Sequence, residues 1–266
     1  MKSCKFFFVL AAVLVSVSQA AWAESVKMGY FMLPPHQYTD NADDPHAAAK
    51  PKGASITYFE ALASKMGYKI EWAGPLPLLR LSEYLKSGKV DGTLGFNKNP
   101  ELESFFHYTD SPMYLAQPTL IVRKDNPLTQ IRSAGDIRGW RIGLTVSIAD
   151  RYTPLIDEHR DMFKLETLGG ESWIKQNIMK LLANRIDAFF DRQPYTPLFV
   201  AAALQLDDRI KALPVPDPPT PMYIVFSKAS KQGQKLLDQC NAVMPQMNLN
   251  YGELVQKEMD AASQPK

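Results

Sequence analysis

The sequence predicts an α/β protein of two lobes with a central cleft and two hinge crossings. Three observations predict it. Strand-like and helix-like segments alternate along the chain. A helix–turn–strand unit occurs twice, in LKSGKVDGTLGF (85–96) and LLANRIDAFFDR (181–192). Two extended runs, SPMYLAQPTLIVRKDNP (111–127) and the Pro-rich PVPDPPTPMYIVFSK (214–228), leave one half and return to it. A pair of extended crossings between lobes describes a hinge, and the space between lobes is where small ligands bind.

The elements follow in order. VKMGYFM (26–32) reads as a strand, and Pro34-Pro35 then forces an extended turn. Residues 39–54 are polar and turn-rich. Asp40, Asp43, Asp44 and His46 there lack the glycine and terminal glutamate of a calcium loop, so a solvated loop is expected. ASITYFEALASKMGY has helical spacing at Ile56, Phe59, Leu62 and Met66, with a Thr57/Glu60 capping box and Gly67 as its stop. KIEWAG is a strand. PLPLLRLSEYLKSG is a helix with Leu78, Leu81 and Leu85 inward, and KVDGTLGF is a strand again. NPELESFFHYTDSPMY (99–114) reads as a turn, a short helix and a strand end. The second half repeats the theme: WRIGLTV, FKLETL and RIDAFFD as strands, with ADRYTPLIDEHR, ESWIKQNIMKLLAN and PYTPLFVAAAL as helices. The tail reads as two helices packing back on the first lobe. In the two echoing units Lys89/Arg185, Val90/Ile186, Asp91/Asp187 and Gly92/Ala188 pair.

The N-terminus reads as a leader. Lys2 and Lys5 precede an apolar run from Phe6 to Val17, and Ala21-Trp22-Ala23 offers small residues where a signal peptidase cuts. The run is short for a membrane span. Residues 1–23 are thus a signal peptide, and the periplasm is the expected compartment. The first lobe takes 24–120 and 218–266, and the second 121–217. The whole chain has a formal net charge of +2, and the leader carries two of its lysines. The remainder is neutral, which gives no argument for nucleic acid. Beyond the leader only Cys240 remains, in helical spacing, and it reads as a buried structural cysteine. His46, His107 and His159 are scattered without ligand-like spacing, so no metal or cofactor is expected.

Several stretches in this order and spacing resemble one family: PPHQY after the first strand, LPLLR, LKSGKVDG, NPELESFFHYTDSP, DIRGWRIGL and ANRIDAFFDR. The chain is similar to the periplasmic solute-binding proteins of the amino-acid-binding type, family 3, with the type II periplasmic-binding-protein fold. The resemblance spans residues 26 to about 258.

That resemblance implies a set of site residues. In the family an arginine after Pro-Glu forks onto the ligand's α-carboxylate, because a guanidinium offers paired donors. Here that position is Leu102, and the helping hydroxyl position is Asn97. The amino-acid clamp is therefore expected to be lost, unless Arg80 or Lys98 replaces it. Asp191 matches the position that accepts the ligand's ammonium, although an Asp there also suits the start of the helix near Pro194. The loop GLTVSIAD (143–150) matches a turn whose N–H groups hold the anionic end. Thr145 and Ser147 remain polar, while Ile148 and Ala149 replace hydroxyls and Asp150 disfavours an anion. His36 stands at a stacking position. Phe31, Tyr38, Phe96 and Tyr114 join it as candidates, with ordinary core packing as the plainer reading of each aromatic. Trp72 and Trp173 suit either core or cleft.

Three functions follow. The first is capture of a small polar solute, cationic or aromatic, by a monomer that delivers it to the membrane permease of an ABC importer. The second is a sensory module presenting its closed form to a membrane receptor. The third is a dehydratase-type enzyme on the same fold with Glu171 and His36 as proton donors; the poverty of cleft arginines argues against it.

Overall fold

The computed structural model describes residues 24–40, 50–146, 152–170 and 172–264. Residues 1–23, expected as a leader, and the stretch holding Asp43, Asp44 and His46 lie outside the described residues, as do Ser147, Ile148, Ala149, Asp150 and Glu171.

Eleven strands are present among the described residues: β1 Ser25–Gly29, β2 Lys69–Ala73, β3 Gly92–Phe96, β4 Phe106–Tyr108, β5 Tyr114–Ala116, β6 Thr119–Arg123, β7 Arg141–Thr145, β8 Lys164–Leu168, β9 Ala188–Asp191, β10 Ile210–Pro214 and β11 Thr220–Ser227. The α-helices are α1 Ala54–Met66, α2 Leu78–Lys86, α3 Pro154–Asp157, α4 Trp173–Leu182, α5 Tyr195–Ala203, α6 Gly233–Val243 and α7 Tyr251–Ala262. They form the two-lobed α/β arrangement that the resemblance implied.

The strands make two sheets with one design. The first runs β2-β1-β3-β11-β4, with β5 on β11; the second runs β10-β6-β9-β7-β8. In the first, β1 pairs in parallel with β2 and β3, and β11 is antiparallel to β3. In the second, β7 pairs in parallel with β8 and β9, and β6 is antiparallel to β9. The two echoing aspartates do the same job in each. Asp91 accepts from the Lys27 N–H at 2.8 Å and returns its own N–H to the Lys27 carbonyl at 2.7 Å. Asp187 accepts from the Arg141 N–H at 2.8 Å and bonds back to the Arg141 carbonyl at 2.9 Å. Each pins the turn before a parallel strand to the neighbouring strand. Asp187 adds a two-point ion pair with the Arg141 guanidinium, at 3.0 and 2.8 Å.

Local chemistry explains the helices. In α1, Ile56, Phe59 and Leu62 are buried at the expected spacing, and Gly67 ends the helix at φ 81°. The expected Thr57/Glu60 capping box does not form, because the helix begins at Ala54 and Thr57 is already inside it. Instead the Ala54 and Ser55 N–H groups bond to the carbonyls of Pro35 and His36, at 2.9 and 2.8 Å. Those groups would otherwise be orphans of the first turn. Of the helix expected over ADRYTPLIDEHR, the described residues form the single turn of α3, followed by a 3-10 turn at Arg160–Met162. Residues 100–105 form hydrogen-bonded turns instead of a helix. The tail gives α6 and α7, but only α6 keeps to the first lobe; α7 packs on α1 and also on α5 of the second lobe.

The hinge is the short gap from β5 to β6 beside the gap from β10 to β11. The Gln117 side-chain amide ties both, donating to the carbonyls of Val215 at 3.2 Å and Asp217 at 3.3 Å. The Asp217 carboxylate then caps α3, accepting from the Leu155 N–H at 3.0 Å and the Thr153 hydroxyl. Each lobe keeps its own apolar core, around Met28, Phe59, Leu94 and Phe226 in the first and around Leu120, Ile142, Phe189 and Ile178 in the second.

Candidate ligand cleft

The turn carrying His36 is built by its neighbours. The N–H groups of His36 and Gln37 bond to the Leu33 carbonyl, and the first N–H groups of α1 hold the Pro35 and His36 carbonyls. Gly53, at φ 119°, allows this close approach; a Cβ there would sit 2.5 Å from the His36 oxygen. The turn thus aims the His36 ring at the second lobe, where it is only 1 % exposed.

His36 sits in a flat aromatic cluster. Its ring lies nearly parallel to Tyr114, with centroids 4.6 Å apart, and Tyr114 stacks on Tyr251 at 4.7 Å. His36 and Tyr251 are joined edge to edge by a 2.6 Å bond from the phenol to Nδ1. Tyr114 therefore covers one face of a hydrogen-bonded His–Tyr pair. Gly95 gives its phenol room, since a Cβ there would lie 3.2 Å from the Tyr114 oxygen.

A chain of hydrogen bonds crosses the boundary between lobes through this pair. The Ser55 hydroxyl donates to the Tyr251 oxygen at 2.7 Å, and Tyr251 donates to His36 Nδ1. His36 Nε2 donates to the Gln193 side-chain carbonyl, and the Gln193 amide donates to Thr196 Oγ1 at 2.7 Å. The Gln193 amide lies with its carbonyl toward His36 and its nitrogen toward Thr196. That orientation requires the proton of the neutral imidazole on Nε2. Every member is satisfied in one direction, which is the arrangement in which buried polar chains stabilise most. Burial holds the His36 pKa down to about 4, against which the bond to Gln193 pulls it upward.

Asp191 ends β9 opposite Thr119, beside the hinge, and is 6 % exposed. Its Oδ1 accepts the Gln193 N–H at 3.1 Å. Burial raises its pKa to about 7, and the backbone bonds and nearby Arg192 offset only part of this. It therefore holds a proton far more readily than an ordinary aspartate. The phenol of Tyr114 is pushed up as well, first by burial and then by Asp191.

The other candidates are distributed unevenly. Tyr38 lies at the lobe boundary, its ring 5.1 Å from that of Phe199 on α5 and its hydroxyl donating to Glu258 on α7 at 2.7 Å. Phe31 and Phe96 pack edge to face in the core of the first lobe, and Phe96 continues to Phe106. Asn97 donates to the carbonyl of its neighbour Lys98 at 3.3 Å. Thr145 ends β7, and its carbonyl accepts the Tyr152 hydroxyl at 2.9 Å. Arg80 is exposed on α2, and Lys98 rests over the Tyr223 ring at 4.7 Å. Leu102 is 8 % exposed and packs with Leu81, Leu85, Val90 and Phe106. Trp72 belongs to the core beside Tyr30 and Phe59. Cys240 is fully buried, as its spacing implied, and burial pushes its thiol up to about 12.

The structure thus brings together His36, Tyr38, Tyr114 and Asp191 at the boundary. It adds four residues the sequence reading missed: Ser55, Gln193, Thr196 and Tyr251. Gln193 and Thr196 follow Asp191 so closely in DRQPYT that position alone would have flagged them. Tyr251, more than 200 residues from His36, carried no such signal.

Over residues 27–260 the chain matches the profile of the bacterial extracellular solute-binding proteins, family 3. It belongs to that family. Among curated proteins none matches it. Solved structures share the fold. The periplasmic VFT2 domain of BvgS from Bordetella pertussis is 16% identical, with a TM-score of 0.66 over 89% of this chain and 92% of that one. An amino acid ABC transporter substrate-binding protein, AbpA from Streptococcus pneumoniae, bound to L-arginine, is 17% identical, with a TM-score of 0.66 over 91% and 97%. The reconstructed ancestral amino-acid-binding protein AncCDT-1, a precursor of cyclohexadienyl dehydratase, is 20% identical, with a TM-score of 0.67 over 88% and 95%. Among the described residues no helix is long and apolar enough to cross a membrane.

Proposed function

We propose that the protein captures a small cationic solute with a flat or aromatic body between its lobes in the periplasm, and delivers it to the permease of an ABC-type importer. Asp191 carries this reading. A carboxylate buried at the lobe boundary, with its pKa raised to about 7 by desolvation, gains most from a cation brought against it. The stacked rings of His36, Tyr114 and Tyr251 add the aromatic faces that cations and flat groups prefer. Leu102, packed in the first lobe's core, offers no guanidinium to an α-carboxylate. On this reading the usual amino-acid clamp is lost.

A thermal-shift panel of amino acids, polyamines, quaternary amines, aromatic acids and sugars tests this on the protein and its Asp191→Asn variant. A solute at a hundred times its Kd stabilises by about 2.7 kcal/mol and raises the midpoint by several degrees. Cations are expected to shift the protein and to lose their effect in the variant. Amino acids that shift both proteins equally would overturn the reading.

One observation favours a second reading, a sensory module for a membrane receptor. The cleft is already spanned by the protein's own bond from His36 to Gln193. Pull-down of a histidine kinase or other receptor, instead of a permease, would favour it.

A further inference from the structure

We infer that α7 is a latch that holds the lobes closed on the protein's own side chains, without any solute. Three sets of contacts carry the inference. First, α7 packs at once on α1 of the first lobe and α5 of the second. Second, its opening residue Tyr251 is the middle of the hydrogen-bonded chain that begins at Ser55 and reaches Gln193 through His36. Third, one turn from its end Glu258 accepts the Tyr38 hydroxyl, while the Tyr38 ring lies on Phe199 of α5. Both ends of α7 are therefore tied to first-lobe side chains that themselves touch the second lobe.

The space around these contacts agrees. A depression of about 480 Å³ runs along α7, lined by Glu253, Gln256, Lys257 and Asp260. Another of about 230 Å³ lies between the far ends of α5 and α7, where Ala202, Gln205 and Asp207 face Ala262 and Ser263. His36 and Asp191 are themselves only 1 % and 6 % exposed, covered by the ring cluster and the hydrogen-bond chain.

The physical consequence is a shift in what closes the protein. A two-lobed binder normally draws its closing free energy from a solute that bonds to both lobes, so the solute-free protein stays open. Here His36 and Gln193 make that bond directly. Opening separates them and leaves two buried polar groups to find water. It also breaks the contact between Tyr38 and Phe199 and pulls α7 away from α5 or α1. The state of the cleft and the seating of α7 are then one equilibrium. The inference concerns the solute-free protein and stands apart from the nature of the solute.

The test measures lobe separation and α7 seating together. Nitroxide labels at Glu71→Cys, on β2 of the first lobe, and Lys175→Cys, on α4 of the second, report distance by pulsed electron spin resonance. Both positions are exposed, and Cys240 is buried. Backbone hydrogen exchange of residues 251–262 reports α7. The solute-free protein is expected to show one narrow distance. Gln193→Ala, which removes the crossing bond, and Tyr251→Phe, which keeps the ring and removes the hydroxyl, are each expected to raise the population at longer distance at least tenfold. Exchange across α7 should rise in parallel. A solute-free protein already dominated by the longer distance would overturn the latch. So would variants that leave the distance unchanged, or lobes that separate with no change in α7 exchange.

Discussion

Asp191 and His36 are expected to give the protein a pH dependence that is hidden in the native chain and exposed by single substitutions. His36 is held at about 4 in the folded protein against an ordinary 6.5. Between those values the unfolded chain binds a proton that the folded protein refuses, so this group makes stability rise with pH. At about 1.4 kcal/mol per pH unit the full contribution is about 3 kcal/mol, present above 6.5 and lost as pH falls to 4. Asp191 runs the other way. Its folded pKa is about 7 against an ordinary 3.8, so the folded protein keeps a proton the unfolded chain has released. This contribution is fully present below 3.8 and declines by about 4 kcal/mol as pH rises to 7. The two slopes oppose across nearly the same window and cancel between about 4 and 6.5. Asp191→Asn removes the falling slope, so its stability relative to the native protein should climb by about 4 kcal/mol from pH 4 to 7. His36→Gln should decline relative to the native protein by about 3 kcal/mol over the same range. Urea unfolding at half-unit pH steps measures both, and taking differences removes carboxylates common to all three proteins, such as Asp187. Difference curves that are flat, or that slope in the same direction, would refute the burial of both groups at one boundary.

Other substitutions probe the supports of the site. Asp91→Ala strips the acceptor from the Lys27 N–H, the Ser230 hydroxyl at 2.5 Å and the Gln232 amide at 2.8 Å, and should cost about 1–3 kcal/mol in urea unfolding. Gly53→Ala places a Cβ 2.5 Å from the His36 carbonyl at φ 119°; a loss of about 2 kcal/mol or more is expected in thermal unfolding, with faster amide exchange at His36 and Gln37. Leu102→Arg puts a charge into the cluster of Leu81, Leu85, Val90 and Phe106. It should destabilise by more than about 3 kcal/mol and confer no amino-acid binding in calorimetry, because the side chain points into the core.

The fold was legible wherever one local pattern had one reading. Helical spacing at Ile56, Phe59 and Leu62 and the glycine at 67 gave α1, and the repeated Asp with its flanking residues gave the correspondence of β3 with β9. The failures are where distant contacts decide. The α1 capping box was displaced because the carbonyls of Pro35 and His36 satisfy the helix start, an interaction between segments that no local motif encodes. Among the described residues after Tyr152 the expected helix is one turn, capped by Asp217, 62 residues beyond Leu155. His36, Tyr114 and Asp191, expected from strand ends and family positions, lie together at the lobe boundary. Phe31 and Phe96 carried the same aromatic signal but turn inward, and a strand end alone does not tell the two faces apart. Tyr251 could not be found from its neighbourhood at all, since only the packing of α7 across both lobes brings it to His36.

On the proposed reading, Asp191 is where the latch and the choice of solute meet. Closure satisfies Ser55, Tyr251, His36, Gln193 and Thr196 in sequence, so a neutral polar solute entering the cleft exchanges good hydrogen bonds for equivalent ones and gains little. Asp191 is different. Burial at the boundary desolvates it and drives it toward its protonated form, a cost that a neutral solute leaves in place. A cation relieves that cost by restoring the ionised carboxylate in a region of low dielectric, where the pair is worth more than in water. The same carboxylate also accepts the Gln193 N–H at 3.1 Å, one residue whose side chain makes the crossing bond to His36. A cation competing for Asp191 therefore acts on the backbone that aims Gln193 at the first lobe. On this account charge selection and release of the latch are two effects of one contact, and Asp191→Asn should weaken solute binding and its effect on lobe separation together.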